Sequence, residues 1–332
     1  MRWQMTHMKE NDHAAPTPLR HPTARAAGLA LGVVAGLALF ARLAANRVER
    51  RVPADGRFIE IDGRRMHYLE RGTGPAIVMI HGLGGQMRNF GYALLDRLSA
   101  DHRVILIDRP GSGYSAPIAQ ANIRAQAAHV AAFITAMGLD RPLVVGHSLG
   151  GAIALALALD HPRHVGGLAL IAPLTQPLAT VPQIVATRAI GTRAMRSALA
   201  WTVATPAALL ARPSGARMVF APDPVPDDFA TRGGGALIGR PSAFAGAAAD
   251  LAAANADLPA MVARYPSLSI PTAILFGRDD AVLDPLAHGQ GLADAYPAAT
   301  LTLVAGGHMI PVTRPDDVAA WLSTLTNPGA PV

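Results

Sequence analysis

The chain has 332 residues, of which 51% are hydrophobic and 16% are charged, so it can bury a large core and is not globally disordered. It contains no cysteine, which excludes disulfides, thiolate nucleophiles and cysteine-ligated metals. The net charge of +6 comes mostly from scattered arginines and not from a basic helix with interleaved aromatic residues, so the sequence argues against nucleic acid as a partner.

An apolar segment at residues 26–45 follows a polar region, residues 1–25, whose lack of periodicity predicts a flexible tail. The segment matches the roughly 20 apolar residues that cross a bilayer core, and its one charge, Arg42, can extend to the interface. Arginines cluster just beyond it, which favours lipid headgroups as a partner. These are Arg47, Arg50 and Arg51. We predict a single-pass N-terminal membrane anchor at residues 26–45, with export after signal-peptide cleavage as the alternative and the membrane side left open.

Eight short strands are predicted after Gly56. The first two alternate between apolar and polar residues on either side of Asp62-Gly63, which is typical of a hairpin. The other six are continuous apolar runs, as expected of parallel strands buried on both faces. The strands lie at residues 58–61, 65–70, 76–80, 104–107, 143–145, 168–171, 273–276 and 301–304. Alanine-rich segments between them favour helices, so we predict an α/β fold with a mostly parallel eight-stranded sheet flanked by helices.

The segment at residues 174–268 interrupts this alternation of strands and helices. It contains no convincing buried strand, whereas residues 184–210 and 243–262 have a helical pattern. We therefore predict an inserted helical lid at residues 174–268, with the core of the fold formed by residues 56–173 and 269–327.

The sequence Gly146-His147-Ser148-Leu149-Gly150 lies between a predicted strand and a predicted helix. A nucleophile on such a sharp turn needs glycine on both sides, because a side chain there would strike the neighbouring strand or helix. The amide of Leu149, at the start of the helix, would face a developing oxyanion. The pattern occurs once, so we predict Ser148 as the nucleophile and interpret Ser112 as a loop serine.

A glycine-rich loop, His81-Gly82-Leu83-Gly84-Gly85, follows the strand that ends at Ile80. Its position predicts the second oxyanion donor, for which we choose the amide of Leu83. We interpret His81 as a residue that packs or forms local hydrogen bonds, so that the backbone of the loop and not the imidazole would stabilise the oxyanion.

A serine hydroxyl needs a base within hydrogen-bond reach and a third group that holds the base in one tautomer. Among twelve histidines, His308 directly follows the last apolar strand, at the sheet edge where Ser148 is expected. Two aspartates, Asp279 and Asp280, follow the preceding strand, and either could orient the base; Asp284 is expected to be a cap or loop residue. Three further histidines are expected on the surface or in packing: His161, His164 and His288.

Several motifs together resemble those of the α/β-hydrolase superfamily, in its lid-bearing bacterial branch, over about residues 56–327. They are the loops at residues 81–85 and 108–115, the elbow at 146–150, the acid turn at 277–280 and the histidine loop at 307–308. The resemblance implies the α/β-hydrolase fold. It also selects Asp280 over Asp279, because the aspartate three residues after the glycine is usually the catalytic one in that family.

Members of this superfamily cleave esters, lactones, amides or carbon–carbon bonds, and some are cofactor-free peroxidases. We expect a carboxylesterase that acts on a small, apolar acyl substrate without a metal or an organic cofactor. Carbon–carbon hydrolysis and peroxidase chemistry remain alternatives on the same triad, and a membrane-tethered binding module is the non-enzyme alternative. Dehalogenases and epoxide hydrolases resemble the chain less, because they carry Asp where this chain has Ser148. The oligomeric state is left open.

Overall fold

The computed structural model describes residues 22–178 and 192–326. One eight-stranded sheet organises them, with the strand order β1-β2-β4-β3-β5-β6-β7-β8. The strands are β1 (Arg57–Ile61), β2 (Arg64–Arg71), β3 (Ala76–Ile80), β4 (Arg103–Ile107), β5 (Leu143–His147), β6 (Gly167–Ile171), β7 (Thr272–Gly277) and β8 (Thr300–Val304). Only β2 pairs antiparallel with its neighbours, β1 and β4. The mostly parallel eight-stranded sheet predicted from the sequence is therefore confirmed.

The two faces of the sheet bury different sets of side chains. In β3, Val78 and Ile80 join one hydrophobic cluster, whereas Ile77 and Met79 join the other. This alternation explains why the central strands are continuous apolar runs, since both faces need apolar side chains. The edge strand β8 is largely exposed along its length.

Helices cover both faces. On one face α4 (Ile123–Ala136) packs against α5 (Leu149–Asp160), the helix that begins directly after Ser148. Ten of the twelve residues of α5 are buried, which fits its sequence of alanines, leucines and glycines. The other face carries α2 (Arg88–Gly91), α3 (Leu94–Leu98) and, near the C-terminus, α11 (Pro315–Thr326). Two short helices complete this part of the fold: α9 (Gly291–Ala295) and α10 (Ile310–Thr313).

The insertion between β6 and β7 is helical in the part that the structure describes. It contains α6 (Arg193–Leu199), a π-helical turn at Ala200–Ala204, α7 (Thr205–Phe220), a 3₁₀ turn at Gly235–Gly239 and α8 (Pro241–Val262). Helix α8 contacts α4 and α5, so the insertion is seated on the core. Residues 179–191, which include the first part of the helical stretch predicted at residues 184–210, lie outside the described residues.

The N-terminal helix, α1 (Pro22–Arg51), contains the apolar segment at residues 26–45 and is longer at both ends. Among the described helices it is the one long and apolar enough to cross a membrane. Most of the predicted tail, residues 1–21, lies outside the described residues. The sequence predicted folded contacts only from near Gly56, whereas one face of α1 is already buried at Ala41.

Candidate active site

Asp280 and His308 form a buried pair at the carboxyl ends of β7 and β8. Their Nδ1 and Oδ2 atoms lie 2.7 Å apart, and the other carboxylate oxygen accepts hydrogen bonds from the amides of Val282 and Leu283. Burial alone would raise the pKa of Asp280, but the hydrogen bond from His308, its positive charge when protonated and the two amides together lower the pKa below its ordinary value. An ionised Asp280 accepts the Nδ1 proton of His308, which leaves Nε2 of that ring as the basic nitrogen.

The structure distinguishes the two adjacent aspartates. The side chain of Asp279 is exposed, and its backbone amide donates to the carbonyl of Gly306. Asp280 alone of the two contacts His308. Asp284 accepts the amide of Leu286 at 2.9 Å, which is the loop role inferred for it from the sequence.

Ser148 occupies a strained turn between β5 and α5. Its φ of 55° and ψ of −120° are rare for a residue with a side chain, and such strain is typical of functional positions. Both flanking glycines are required by close approach of the backbone. A Cβ atom on Gly146 would lie 2.5 Å from the carbonyl oxygen of Gly150, and one on Gly150 would lie 2.0 Å from that of Ile80.

His147 connects this turn to the loop that carries His308. Its Nε2 donates to the carbonyl of His308 at 3.0 Å, and the two ring centroids are 4.9 Å apart. Burial and the nearby His308 lower the pKa of His147 to about 3, so the ring is neutral. This role of His147 was not predicted from the sequence, because a contact with a residue 161 positions away has no local signal. Among the described residues, the Ser148 hydroxyl makes no hydrogen bond to the His308 ring.

The loop after β3 lies directly against the serine. A Cβ atom on Gly82 would be 2.9 Å from Cβ of Ser148, so only glycine allows this approach. Leu83 follows with its side chain partly exposed, and Gly84 has a φ of +63°. On the other side of Ser148, Leu149 is the first residue of α5, where an N–H group has no acceptor within the helix.

His81 and Arg109 fix the conformation of this loop. The ring of His81 donates from Nδ1 to the carbonyl of Gly82 and accepts the amide of Arg109 at Nε2, so it has the local hydrogen-bonding role inferred from the sequence. Burial, followed by the charge of Arg109, lowers the pKa of His81 to about 3. The Arg109 side chain is fully buried and donates to the carbonyls of His81 and Gly82, each at 2.9 Å.

Arg109 also connects the loop to the insertion. Its Nη2 lies 2.9 Å from Oδ2 of Asp250 on α8, and its Nη1 donates to Gln126 on α4 at 2.7 Å. Gln126 in turn donates to the other oxygen of Asp250. Arg109 lies within the motif at residues 108–115, but this role was not predicted from the sequence; a cation at the end of an apolar strand was the available signal.

The remaining histidines named from the sequence have packing roles or lie near the surface. Nδ1 of the buried His288 accepts the amides of Thr175 and Gln176, and thereby holds the chain after β6. His161 and His164 are partly exposed near the turn after α5. A cavity of about 740 Å³ between α8 and the loop after β4 is lined by other residues and not by Ser148, Asp280 or His308.

Comparisons with known proteins agree with this architecture. A curated relative, the 2-hydroxy-6-oxo-6-phenylhexa-2,4-dienoate hydrolase of Comamonas testosteroni, is 35% identical over 113 residues, which cover 32% of this chain and 40% of that enzyme. The chain spans well under half the length of the curated relatives it matches first.

Solved structures match over a larger share of the chain. The enol-lactonase from Burkholderia xenovorans LB400 has a TM-score of 0.68 at 21% identity, over 82% of this chain and 100% of that one. A membrane phospholipase A, described as a bacterial virulence factor, has a TM-score of 0.61 at 24% identity, over 91% of this chain and 94% of that one. At such identities these matches support the fold alone. The family model for the alpha/beta hydrolase fold matches residues 75–315, and the chain therefore belongs to the α/β-hydrolase family.

Proposed function

We propose that the protein is a serine hydrolase that cleaves a carboxylic ester or a related acyl bond, with Ser148 as nucleophile, His308 as base and Asp280 as the orienting acid. The observation that carries this proposal is the Asp280–His308 pair at the sheet edge where Ser148 occupies its strained turn. The hydrogen bond between His147, the neighbour of Ser148, and the backbone of His308 supports a position of the base close to the serine.

In the proposed reaction the Ser148 hydroxyl attacks the substrate carbonyl and gives its proton to Nε2 of His308. Asp280 stabilises the imidazolium that results. The amides of Leu83 and Leu149 stabilise the oxyanion, which collapses with departure of the alcohol as it takes the proton from His308. Water then attacks the acyl-enzyme with His308 as base, releases the carboxylic acid and regenerates Ser148. No metal or organic cofactor takes part in these steps.

The missing hydrogen bond between Ser148 and His308 is compatible with this mechanism. Catalytic hydrogen bonds are often long in a site without substrate and shorten when substrate binds. A substrate that displaces the serine hydroxyl toward Nε2 of His308 would form the hydrogen bond through which the proton is transferred. Residues 174–268 are proposed as a lid whose apolar side chains select an apolar acyl group.

A second candidate reaction is hydrolysis of a carbon–carbon bond. It is favoured by the relative from Comamonas testosteroni, because the substrate in its name contains a ketone and no ester. The same serine, base and oxyanion amides would serve this reaction, so the geometry does not separate the two substrates.

Turnover of p-nitrophenyl esters with short and long acyl chains tests the proposal. The wild-type protein should hydrolyse at least one of them, Ser148→Ala should lose this activity, and the loop variant Ser112→Ala should retain it. Equal rates for wild type and Ser148→Ala would contradict the proposal and favour a binding module. Turnover of a 2-hydroxy-6-oxo-dienoate with no ester hydrolysis would favour the second candidate.

We also propose that α1 anchors the protein in a membrane through residues 26–45. Its length and apolar composition support this, and the arginines that follow suit the headgroup region. Export after cleavage remains the alternative. Recovery of uncleaved protein in the membrane fraction after carbonate extraction is the expected result, and recovery in the supernatant would contradict the anchor.

A further inference from the structure

One face of α1 is packed against the insertion, although the helix has the composition of a membrane anchor. Leu37 and Ala38 are partly buried, and further along the helix Ala41, Ala45 and Val48 are buried. These positions recur every three or four residues and so form one stripe. The stripe contacts the π-helical turn at Ala200–Ala204 and the 3₁₀ turn at Gly235–Gly239.

Polar contacts fix the end of α1 to the rest of the molecule. Arg240, at the start of α8, lies 3.2 Å from the carboxylate of Glu49 and also donates to the carbonyl of Gly113. The Tyr114 hydroxyl donates to the carbonyl of Val52, directly after the helix. These contacts hold the end of α1 against the insertion and against the loop after β4. We therefore expect α1 and the insertion to move together.

The packed stripe overlaps the residues that the membrane span needs. Residues 26–36, which precede the stripe, give only about 16 Å of helix at 1.5 Å per residue. A bilayer core is about 30 Å thick and needs roughly 20 apolar residues. A span that begins at Ala26 must therefore include Leu37 to Ala45, the same residues that begin the contact with the insertion.

The two turns that touch α1 also carry exposed apolar side chains, one of which, Trp201, lines the cavity between α8 and the loop after β4. Trp201 is 37% exposed, Val203 52% and Ile238 41%. On the opposite side of the stripe, α1 exposes Phe40 and Leu43. Apolar side chains exposed next to a spanning helix match the chemistry of lipid, and tryptophan is enriched where acyl chains meet headgroups.

We propose that Trp201, Val203 and Ile238 form a second membrane contact, which inserts into the bilayer beside α1. This membrane-contact surface rests on the proposed anchor. It commits the insertion to lipid as its partner, because a span that reaches Ala45 brings the turns packed on α1 to the edge of the bilayer: Ala236 and Leu237 of the 3₁₀ turn cluster with Val48 and Val52, just beyond that residue.

The surface borders the candidate active site. A Cβ atom on Gly84 would lie 3.5 Å from Cδ1 of Ile238, so the 3₁₀ turn of the insertion adjoins the loop proposed to stabilise the oxyanion. Gln86 and Asn89, just beyond that loop, donate to the carbonyl of Gly233. The loop beside Ile238 would therefore lie next to lipid, and the substrate class that follows is an ester dissolved in the bilayer.

Depth-dependent quenching of tryptophan fluorescence tests the proposal. Full-length protein with Trp201 as its only tryptophan, through Trp3→Phe and Trp321→Phe, is reconstituted into phosphatidylcholine vesicles that carry brominated acyl chains. The matched control retains Trp321, on α11, through Trp3→Phe and Trp201→Phe. We expect bromine near the headgroups to quench Trp201 by about twofold and to leave Trp321 unchanged.

The possible outcomes distinguish failure of the membrane-contact surface from failure of the α1 anchor and from failure of the proposed hydrolase reaction. Unquenched Trp201 in protein that resists carbonate extraction would overturn the surface and keep the anchor. If cross-linking then shows a dimer through this face, a second copy of the chain covers it instead. If carbonate extracts the protein, the proposed anchor is overturned, and with it the basis of the membrane-contact surface. The ester assay with Ser148→Ala is independent of both proposals.

A pair of variants adds an activity readout. Val203→Asp should lower the rate on a long-chain ester dissolved in vesicles by about tenfold relative to the rate on a water-soluble ester, because the charge opposes insertion of the turn. Leu286→Asp changes a residue that is 72% exposed after β7, far along the chain from these turns, and should alter neither rate. Equal rates for Val203→Asp and wild type on both esters would count against the surface.

Discussion

Two buried histidine–aspartate pairs occur in the part of the chain that the structure describes, and their difference explains why we propose a catalytic role for only one of them. In the first, Nδ1 of His308 lies 2.7 Å from Asp280; in the second, Nδ1 of His67 lies 2.6 Å from Asp108. Both rings and both carboxylates are almost fully buried. Distance and burial alone therefore do not distinguish them.

The second ring nitrogen distinguishes the two pairs. Nε2 of His67 accepts the amide of Gly56 at 3.3 Å, so it has no lone pair left for a substrate. The carboxylate of Asp108 also has partners on both oxygens, since it accepts hydrogen bonds from the amides of Met87 and Tyr114. This pair holds β2 against the loops that follow β3 and β4, and we expect its role to be structural.

In the His308 pair the basic nitrogen has no such partner among the described residues, and a strained serine lies on the neighbouring turn. The difference predicts that mutations in one pair will affect catalysis and that mutations in the other will affect stability. Substitutions in each pair test this division, and those in the His308 pair should have the largest effect on catalysis.

Replacement of His308 should have the largest effect on catalysis. His308→Ala removes the base, so kcat should fall by about 10⁴-fold or more while the protein stays folded. Ester turnover and the thermal unfolding midpoint are measured together. Activity within tenfold of wild type would remove His308 from the mechanism.

Asp280→Asn should follow with a decrease in kcat of about 10³- to 10⁴-fold, because an amide stabilises the wrong tautomer of His308 and cannot stabilise its charged form. Asp279→Asn is the matched control one residue away, on an exposed side chain, and should retain wild-type kcat. Loss of kcat in Asp279→Asn and wild-type kcat in Asp280→Asn would instead assign the acid role to Asp279, the alternative that the residues alone left open.

Asp108→Asn should act on stability instead. Loss of one partner from a buried pair should lower the free energy of unfolding by about 3 kcal/mol, and kcat of the folded protein should stay within tenfold of wild type. Urea unfolding and ester turnover check the two parts. A loss of kcat comparable to that of Asp280→Asn would erase the distinction between the pairs.

Replacement of His147, the buried histidine next to Ser148, should have the smallest effect, which is a change in how stability depends on pH. The pKa of His147 is about 3 in the folded protein and 6.5 for an ordinary histidine in the unfolded chain, so between these values the unfolded chain binds a proton that the folded protein does not. Stability is therefore retained above pH 6.5 and decreases as the pH falls toward 3. His147→Gln, which keeps a donor for the His308 carbonyl, should reduce this slope by up to about 1.4 kcal/mol per pH unit in urea titrations. An unchanged slope would mean that His147 is charged in the folded protein.

The parts of this account that sequence could predict are local. Six strands follow from apolar runs and two from an alternating hairpin pattern, and Ser148 and its glycines follow from a turn whose steric needs are confined to five residues. The choice of Asp280 over Asp279 needed the family resemblance, because both aspartates follow the same strand and only the turn of the chain separates their directions.

Contacts between distant residues were not predictable. Arg109 meets Asp250 across 141 positions, and the two histidine–aspartate pairs are alike in composition, so nothing local separates their roles. The packing of α1 was missed for a different reason. Leucine, valine and alanine suit both lipid and a protein surface, so residues 26–45 indicate an apolar environment without identifying which one.

The most direct test of the central claim is mass spectrometric mapping of the residue that a fluorophosphonate modifies. Phosphonylation needs a serine activated by its base, so we expect one adduct on Ser148, strongly reduced labelling in His308→Ala and undiminished labelling in Asp108→Asn. An adduct on another serine, or equal labelling of wild type and His308→Ala, would contradict the account.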